Sequence, residues 1–481
     1  MDRDKGIVVT PAEVQYEGLD AVLDNVQLRA GADRINTTLG VYEPVPDGQG
    51  RREPPLDVIG HGRLLDRPLW GRRELCLRSY QPGESDPDVR AAFAALPYPL
   101  PAVAPPSLRI DVPRQIVDAC HRRGLGVSIQ ISPYTLPSLP GGQSAEQTEG
   151  PRSAGDRPIR IDGRAADTVL AGHGCLNNPN VRALGRARLG DALRRYPDVE
   201  AVHLDWCEYT AYFLEDCFTC FCDSCRQAAG SAGYDWDRIV RDCRELWGRL
   251  HRLKRADLKL AADQASHPVL LLGWLEQSPG VLDLLRFKAE TVAGALAELR
   301  AEMDALRLQR VALGVRGFAP PWSLVTGLHP GIVGRSCREV GCKLFTFHWP
   351  MIVRWYAESL LRWNPGLAEP EVIAAVRGAL DLPSRPDEHR RRLTDYGMPL
   401  PDEPHLMTAE SLRRKLSQAI ALAGQSGVVV SAYVHSYRPA AELAVVLRAA
   451  RESGTAGIWI QRYGYLSDEK LDVIRRTWCW R

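Results

Sequence analysis

The chain has 481 residues, 45% of them hydrophobic and 25% charged, with a formal net charge of +2. That balance fits a packed globular protein and excludes a disordered chain. A near-neutral charge with no concentrated basic run argues against a nucleic-acid partner.

The N-terminus begins Met1-Asp2-Arg3-Asp4-Lys5-Gly6, so acidic residues precede a short apolar run. That run is too short for the apolar core of a signal peptide. No stretch of about 18 apolar residues occurs, so no membrane helix is expected. These features predict a cytoplasmic protein with no membrane partner, and they leave its oligomeric state open.

Short apolar runs alternate with amphipathic stretches, the pattern of βα units around a parallel sheet. The first two runs are Gly6–Val9 and Ile35–Tyr42. Residues 43–110 are rich in Pro and Gly and form an excursion after the second strand. Asp111 caps a helix with Pro113 in its first turn and Gly124 beyond its end, and the third strand, Val127–Ile131, follows. Asn178-Pro179 opens the next helix, Pro197 stops it, and the fourth strand is Ala201–Leu204. Residues 217–310 hold a cysteine cluster and then long helical periodicity. Three further strands are expected at Val311–Val315, Leu344–Phe347 and Val428–Tyr433, with a Pro-rich excursion at residues 363–406 after the sixth. The eighth is Gly457–Ile460, before a helix that opens at Ser467-Asp468-Glu469. Eight such units predict one α/β chain folded as a (β/α)8 barrel, with long insertions after strands 2, 4 and 6.

In such a barrel the chemistry sits where strands end. Strand 4 runs into His203-Leu204-Asp205-Trp206-Cys207-Glu208, which sets Asp205 and Glu208 on the rim. Neighbouring carboxylates push their pKa values apart, leaving one as acid and one as base near neutrality. The alternative is that Asp205 caps an element or pairs with a rim arginine such as Arg316. Strand 3 adds Gln130 and Tyr134, and strand 4 adds Trp206. Arg316 ends strand 5, His348 and Trp349 follow strand 6, Tyr433 and His435 follow strand 7, and Gln461 and Arg462 follow strand 8. Aromatic faces stack on sugar C–H faces while Gln, His and Arg bond hydroxyls, so a carbohydrate substrate is expected. A catalytic metal among His203, His348 and His435 has no spacing motif behind it.

Twelve cysteines are present, four of them as Cys217-x-x-Cys220-x-Cys222-x-x-Cys225. Four thiols at short spacing can surround a structural zinc, or they can be reduced side chains packed beside Phe218 and Phe221. No organic cofactor motif is found.

Three stretches carry a resemblance. They are Cys175-Leu-Asn-Asn-Pro-Asn180, Val202-His-Leu-Asp-Trp206 with Cys220-Phe-Cys-Asp-Ser-Cys225, and the closing Ala456-Gly-Ile-Trp-Ile-Gln-Arg-Tyr-Gly-Tyr-Leu466. Together they resemble barrels of the glycoside hydrolase type, including many uncharacterised bacterial ones. The cysteine loop is similar to the zinc knuckle of some bacterial β-galactosidases, in which the fourth cysteine comes from earlier in the chain. That likeness implies Cys175 or Cys207 in place of Cys217. The family implies hydrolysis of a glycosidic bond, and the lack of an export signal points to a small glycoside or oligosaccharide; the alternatives are an isomerase, lyase or biosynthetic enzyme on a sugar-like metabolite, or a sugar-binding pseudoenzyme. Retaining members place a nucleophilic carboxylate after strand 7, but Ser431-Ala-Tyr-Val-His-Ser-Tyr437 has none. The usual retaining mechanism is therefore not expected.

Overall fold

The computed structural model describes residues 4–46, 51–52, 76–137, 154–166, 172–263, 267–382, 390–400, 403–424 and 426–479. Eight parallel strands close into a barrel. In chain order they are β1 (Asp4–Val9), β2 (Arg34–Thr37), β3 (Gly126–Ile131) and β4 (Ala201–Asp205), then β5 (Ala312–Phe318), β6 (Glu339–Leu344), β7 (Val429–His435) and β8 (Gly457–Gln461). β1 closes the ring by pairing with both β8 and β2.

Two strands differ from the sequence expectation. The run Ile35–Tyr42 divides: β2 stops at Thr37, and Val41–Pro44 pairs antiparallel with Cys76–Tyr80 in a small separate sheet. β6 lies before the expected Leu344–Phe347, because its inward side chains include Glu339 and Lys343. An all-apolar template for a strand buried on both faces passes over such a segment.

Helix ends follow the sequence signals. α1 (Val112–Arg122) is capped by Asp111, which accepts from Arg114 N at 2.9 Å, and Gly124 beyond it takes a left-handed φ of +67°. α2 (Pro179–Arg195) is capped by Asn178. The segment after β4 supplies α3 (Asp223–Ser231), α4 (Trp236–Leu250) and the long α5 (Pro279–Ala305). α6 (His348–Trp363) follows β6. No helix among the described residues is long and apolar enough to cross a membrane.

The barrel interior is polar, where such barrels ordinarily fill with branched aliphatics. Arg316 is buried at its centre, with its guanidinium 4.0 Å from the Tyr433 ring and 5.5 Å from the Trp459 ring. It donates to Asn36 Oδ1 at 3.4 Å, and to the side-chain oxygens of Gln130 and Tyr433. Its Nη2 lies 2.5 Å from His203 Nδ1. A buried guanidinium needs this many partners, since each unmet donor costs on the order of 1–3 kcal/mol. Room for Trp459 is made at Gly6, where a Cβ would come within 2.1 Å of the indole.

Candidate active site

Asp205 ends β4 on the inward side and is buried. Its Oδ1 lies 2.5 Å from Lys343 Nζ, its Oδ2 accepts from Gln130 Nε2 at 3.3 Å, and the Trp206 N–H donates to Oδ1 at 3.1 Å. The alternative of an ion pair with Arg316 is not what forms: the partner is Lys343. The register explains this: Asp205 pairs across the sheet with Arg316, whose side chain turns down to His203, while Lys343 on β6 turns up. Lys343 also sits 4.2 Å from the centre of the Trp206 ring, a cation–π contact.

Trp206 takes a left-handed φ of +59°, a conformation that a bulky residue adopts only when its surroundings enforce it. It packs edge-on to His173 and Phe318, and Tyr212 bridges from there to His348, with its hydroxyl 3.3 Å from His348 Nδ1. Burial, with help from Lys343, pulls the His348 pKa down to about 3, so this imidazole is neutral. Trp206, Phe318, Gln130 and Gln461 remain partly exposed and give the barrel mouth its accessible surface.

Glu208 sits below this surface, almost wholly buried. Its Oε1 accepts from Phe318 N at 3.0 Å and its Oε2 contacts Thr326 Oγ1 at 2.6 Å. Burial pushes its carboxyl up to about 7, and the nearby Lys343 opposes the rise. The sign of its effect on stability follows. Unfolded, the group titrates near 4.5; folded, near 7. Its contribution is fully present below pH 4.5 and is lost as pH rises through 7, a change of about 3 kcal/mol. Glu208→Gln keeps the shape and removes the titration. Urea unfolding at pH 5 and pH 8 should show the variant gaining on the wild type by about that amount at the higher pH. A stability difference that does not move with pH would show that the carboxyl is not held neutral.

The structure brings Asp205, Gln130, Arg316, Tyr433 and Gln461 into one network. The Tyr433 hydroxyl reaches Gln130 Oε1 at 3.2 Å and also contacts Gln461 Oε1. His435 is buried among Phe345, Phe347 and Tyr465, and its Nδ1 accepts from the Tyr437 N–H at 3.0 Å. Two expected binding residues lie elsewhere. Tyr134 is buried between helices, donating to Ala295 O of α5 at 2.9 Å and packing on Gly185 of α2. Trp349 packs against Trp322 with the Lys415 ammonium 5.4 Å from its ring, because α6 has already begun at His348. Arg462, partly exposed just past the end of β8, faces the buried Glu13 carboxyl that follows β1. Lys343 was missed by sequence reasoning, although a lysine within an otherwise buried strand was the available signal.

The cysteine group forms from Cys175, Cys220, Cys222 and Cys225, whose sulfurs all lie within 4.8 Å of one another. Cys217 is not among them. One turn of 3-10 helix (Leu214–Phe218) carries it away, and its thiol contacts Tyr356 Oη at 3.1 Å. Cys207 is buried apart, its thiol turned toward the Asp205 carbonyl. The sulfur of Cys175 is 3.5 Å from those of Cys222 and Cys225, and 3.8 Å from that of Cys220. Four sulfurs about 2.3 Å from a central ion stand about 3.8 Å apart, so the spacing fits a tetrahedral metal site. Ile159 N–H and Asn177 Nδ2 each point at a sulfur, at 3.3 Å, as donors do around thiolate ligands. Among the described residues this is the one cluster able to hold a metal ion, and the three histidines do not form another.

No protein-family model matches the sequence, and no curated protein matches it. Among solved structures, the catalytic domain of a beta-amylase from Paenibacillus polymyxa is similar at 11% identity and TM-score 0.43, over 98% of this chain and 95% of that one. A beta-galactosidase from the Antarctic haloarchaeon Halorubrum lacusprofundi is similar at 12% identity and TM-score 0.45, over 98% of this chain and 57% of that one. A Group IV chitinase from Ostrinia furnacalis shows 8% identity and TM-score 0.40, over 99% of this chain and all of that one. The barrel assignment itself rests on the strand pairing described above.

Proposed function

We propose that the protein is an enzyme of the glycoside hydrolase type acting on a small glycoside or oligosaccharide, with Asp205 as the carboxylate that meets the substrate. The observation that carries this reading is the placement of Asp205 at the carboxyl end of β4, gripped by Lys343 and Gln130 beneath the partly exposed Trp206. Glu208 serves this site as a buried acid. Neutral below about pH 7, it leaves the negative charge of the pair to Asp205. Gln130, Gln461 and the Trp206 face offer a sugar hydroxyl contacts and a stacking surface.

With no carboxylate on the β7 end, the usual retaining route lacks its nucleophile, and inversion at the anomeric carbon is the outcome we expect. Incubation with a panel of nitrophenyl glycosides and short oligosaccharides, followed by NMR of the first-formed anomer, should show inversion. Retention, or a trapped glycosyl-enzyme, would overturn the mechanism; no turnover on any glycoside would overturn the activity. A second reading, non-hydrolytic proton transfer on a sugar-like metabolite, is favoured by one observation. Asp205 and Lys343 form a contiguous acid–base pair, while both Glu208 oxygens are already engaged. Interconversion of sugar isomers without hydrolysis would establish it.

The cysteine group, in this reading, holds a structural zinc. Four thiolates close the coordination sphere and leave no position for substrate.

A further inference from the structure

A cavity of about 740 Å³ lies off the barrel axis, against α4 and α6. Its apolar part is aromatic. α6 presents Trp355 and Trp363 eight residues apart on one face, with Ser359 between them. Phe213 stacks on Trp355 with ring centres 4.6 Å apart. From α4, Trp247 lies 4.7 Å from Trp363, and His251 beyond the helix end stacks on Trp363 at 4.1 Å. Trp247, Trp363 and Phe213 are all partly exposed. The sequence offers no local pattern for this assembly, because its members come from α4, from α6 and from the loop after β4.

The rim is charged but balanced. Arg160, Arg164 and Arg362 face Asp162, Glu215 and Glu358. Arg160 is engaged with the buried Asp216, and Arg362 with Glu215, which also accepts from Ser359 Oγ at 2.8 Å. Arg164 is exposed at the edge.

These features select among ligand classes. An ammonium ligand would gain from the indoles but would find Glu215 and Glu358 already paired with arginines and Arg164 at the edge. An anion would find two of the three arginines already paired with carboxylates. A wholly apolar ligand would strip water from rim charges and give nothing back. A neutral polyhydroxylated ring satisfies both parts, stacking its C–H face on indole while its hydroxyls bond carboxylate and guanidinium. The volume suits a small-molecule site.

We propose that this cleft binds one or more units of a neutral oligosaccharide, as a distal subsite separate from the barrel mouth. Trp355 lies seven residues beyond His348 on α6, about 10 Å along the helix from the mouth. The proposal rests on the carbohydrate reading above for its ligand class, and its test can fail independently.

Maltohexaose, cellohexaose, xylohexaose and chitohexaose are titrated into the full chain, following tryptophan emission and calorimetric heat. At least one should bind saturably. Trp247→Ala should weaken that binding tenfold or more. Arg164→Ala, a surface change that leaves the fold untouched, should weaken it about threefold. Asp205→Asn should leave it unchanged. Turnover of a nitrophenyl monosaccharide should be the same in Trp247→Ala and Arg164→Ala as in the wild type. The proposal is overturned if none of the four binds, or if binding survives both cleft variants. It is also overturned if binding is lost in Asp205→Asn and kept in the cleft variants, because the sugar then occupies the mouth; the carbohydrate reading would stand in that case.

Discussion

Asp205→Asn is expected to reduce kcat/KM by roughly 10²–10⁴-fold, the range lost when a positioned proton-transfer group is removed. The substitution keeps the side-chain shape but leaves one acceptor oxygen where the carboxylate had two, so either the Gln130 donor or the Lys343 and Trp206 donors lose their partner. It also leaves Lys343 as a buried cation without its carboxylate, which destabilises by up to about 3–5 kcal/mol. Activity and stability must therefore be read separately. The companion is the double variant Asp205→Asn with Lys343→Met, which removes the uncompensated charge and places an unbranched apolar chain against Trp206. Its melting temperature should return toward that of the wild type, while its turnover should stay as low as that of the single variant. Turnover that recovers together with stability would show that the ion pair only holds the barrel, and the catalytic assignment of Asp205 would be lost. Lys343→Met alone should be harmful to both, since it leaves Asp205 buried with only neutral donors.

The parts of this architecture that sequence reveals are those encoded locally. β1, β3, β4, β7 and β8 carry apolar runs with clear flanks, and the cap residues Asp111 and Asn178 stand where the helix-start chemistry puts them. β6 was displaced because Glu339 and Lys343 point inward, and their partners, His203 with Trp459 and Asp205, come from strands far away in sequence. The polarity of the barrel interior is a collective property. Arg316 is tolerable there only because Asn36, Gln130, His203 and Tyr433 converge on it from four other strands. Asp205 was legible because a strand end is a local feature. Its counter-ion was not, because choosing between Arg316 and Lys343 depends on the register between β4, β5 and β6. The same limit applies to Trp349: its position in the sequence suggests a rim residue, but the start of α6 turns it into the helix packing.

The cysteine group gives the other large expected effect. The purified protein should contain one zinc per chain by elemental analysis. Cys175→Ser and Cys222→Ser should each lose it, whereas Cys217→Ser and Cys207→Ser should retain it. The contrast is sharp because local spacing alone groups Cys217 with the others, while the folded chain substitutes Cys175 from 45 residues before Cys220. Zinc bound by four thiolates is worth about 10–16 kcal/mol in small peptides. Bound here, zinc would order two loops rather than the whole barrel, so chelation should lower the melting temperature without abolishing the fold. The loops concerned are Cys175–Asn178, which leads into α2, and the turn from Cys220 that opens α3. Tyr209 joins them to the site: its hydroxyl is 3.9 Å from the Cys225 sulfur and its N–H donates to Thr326 O at 2.9 Å. Thr326 in turn contacts Glu208. Loss of zinc should therefore loosen the Glu208 grip, so the pH dependence of stability described above should weaken in Cys175→Ser and persist in Cys217→Ser. A zinc content unchanged by Cys175→Ser, or removed by Cys217→Ser, would contradict this arrangement of ligands.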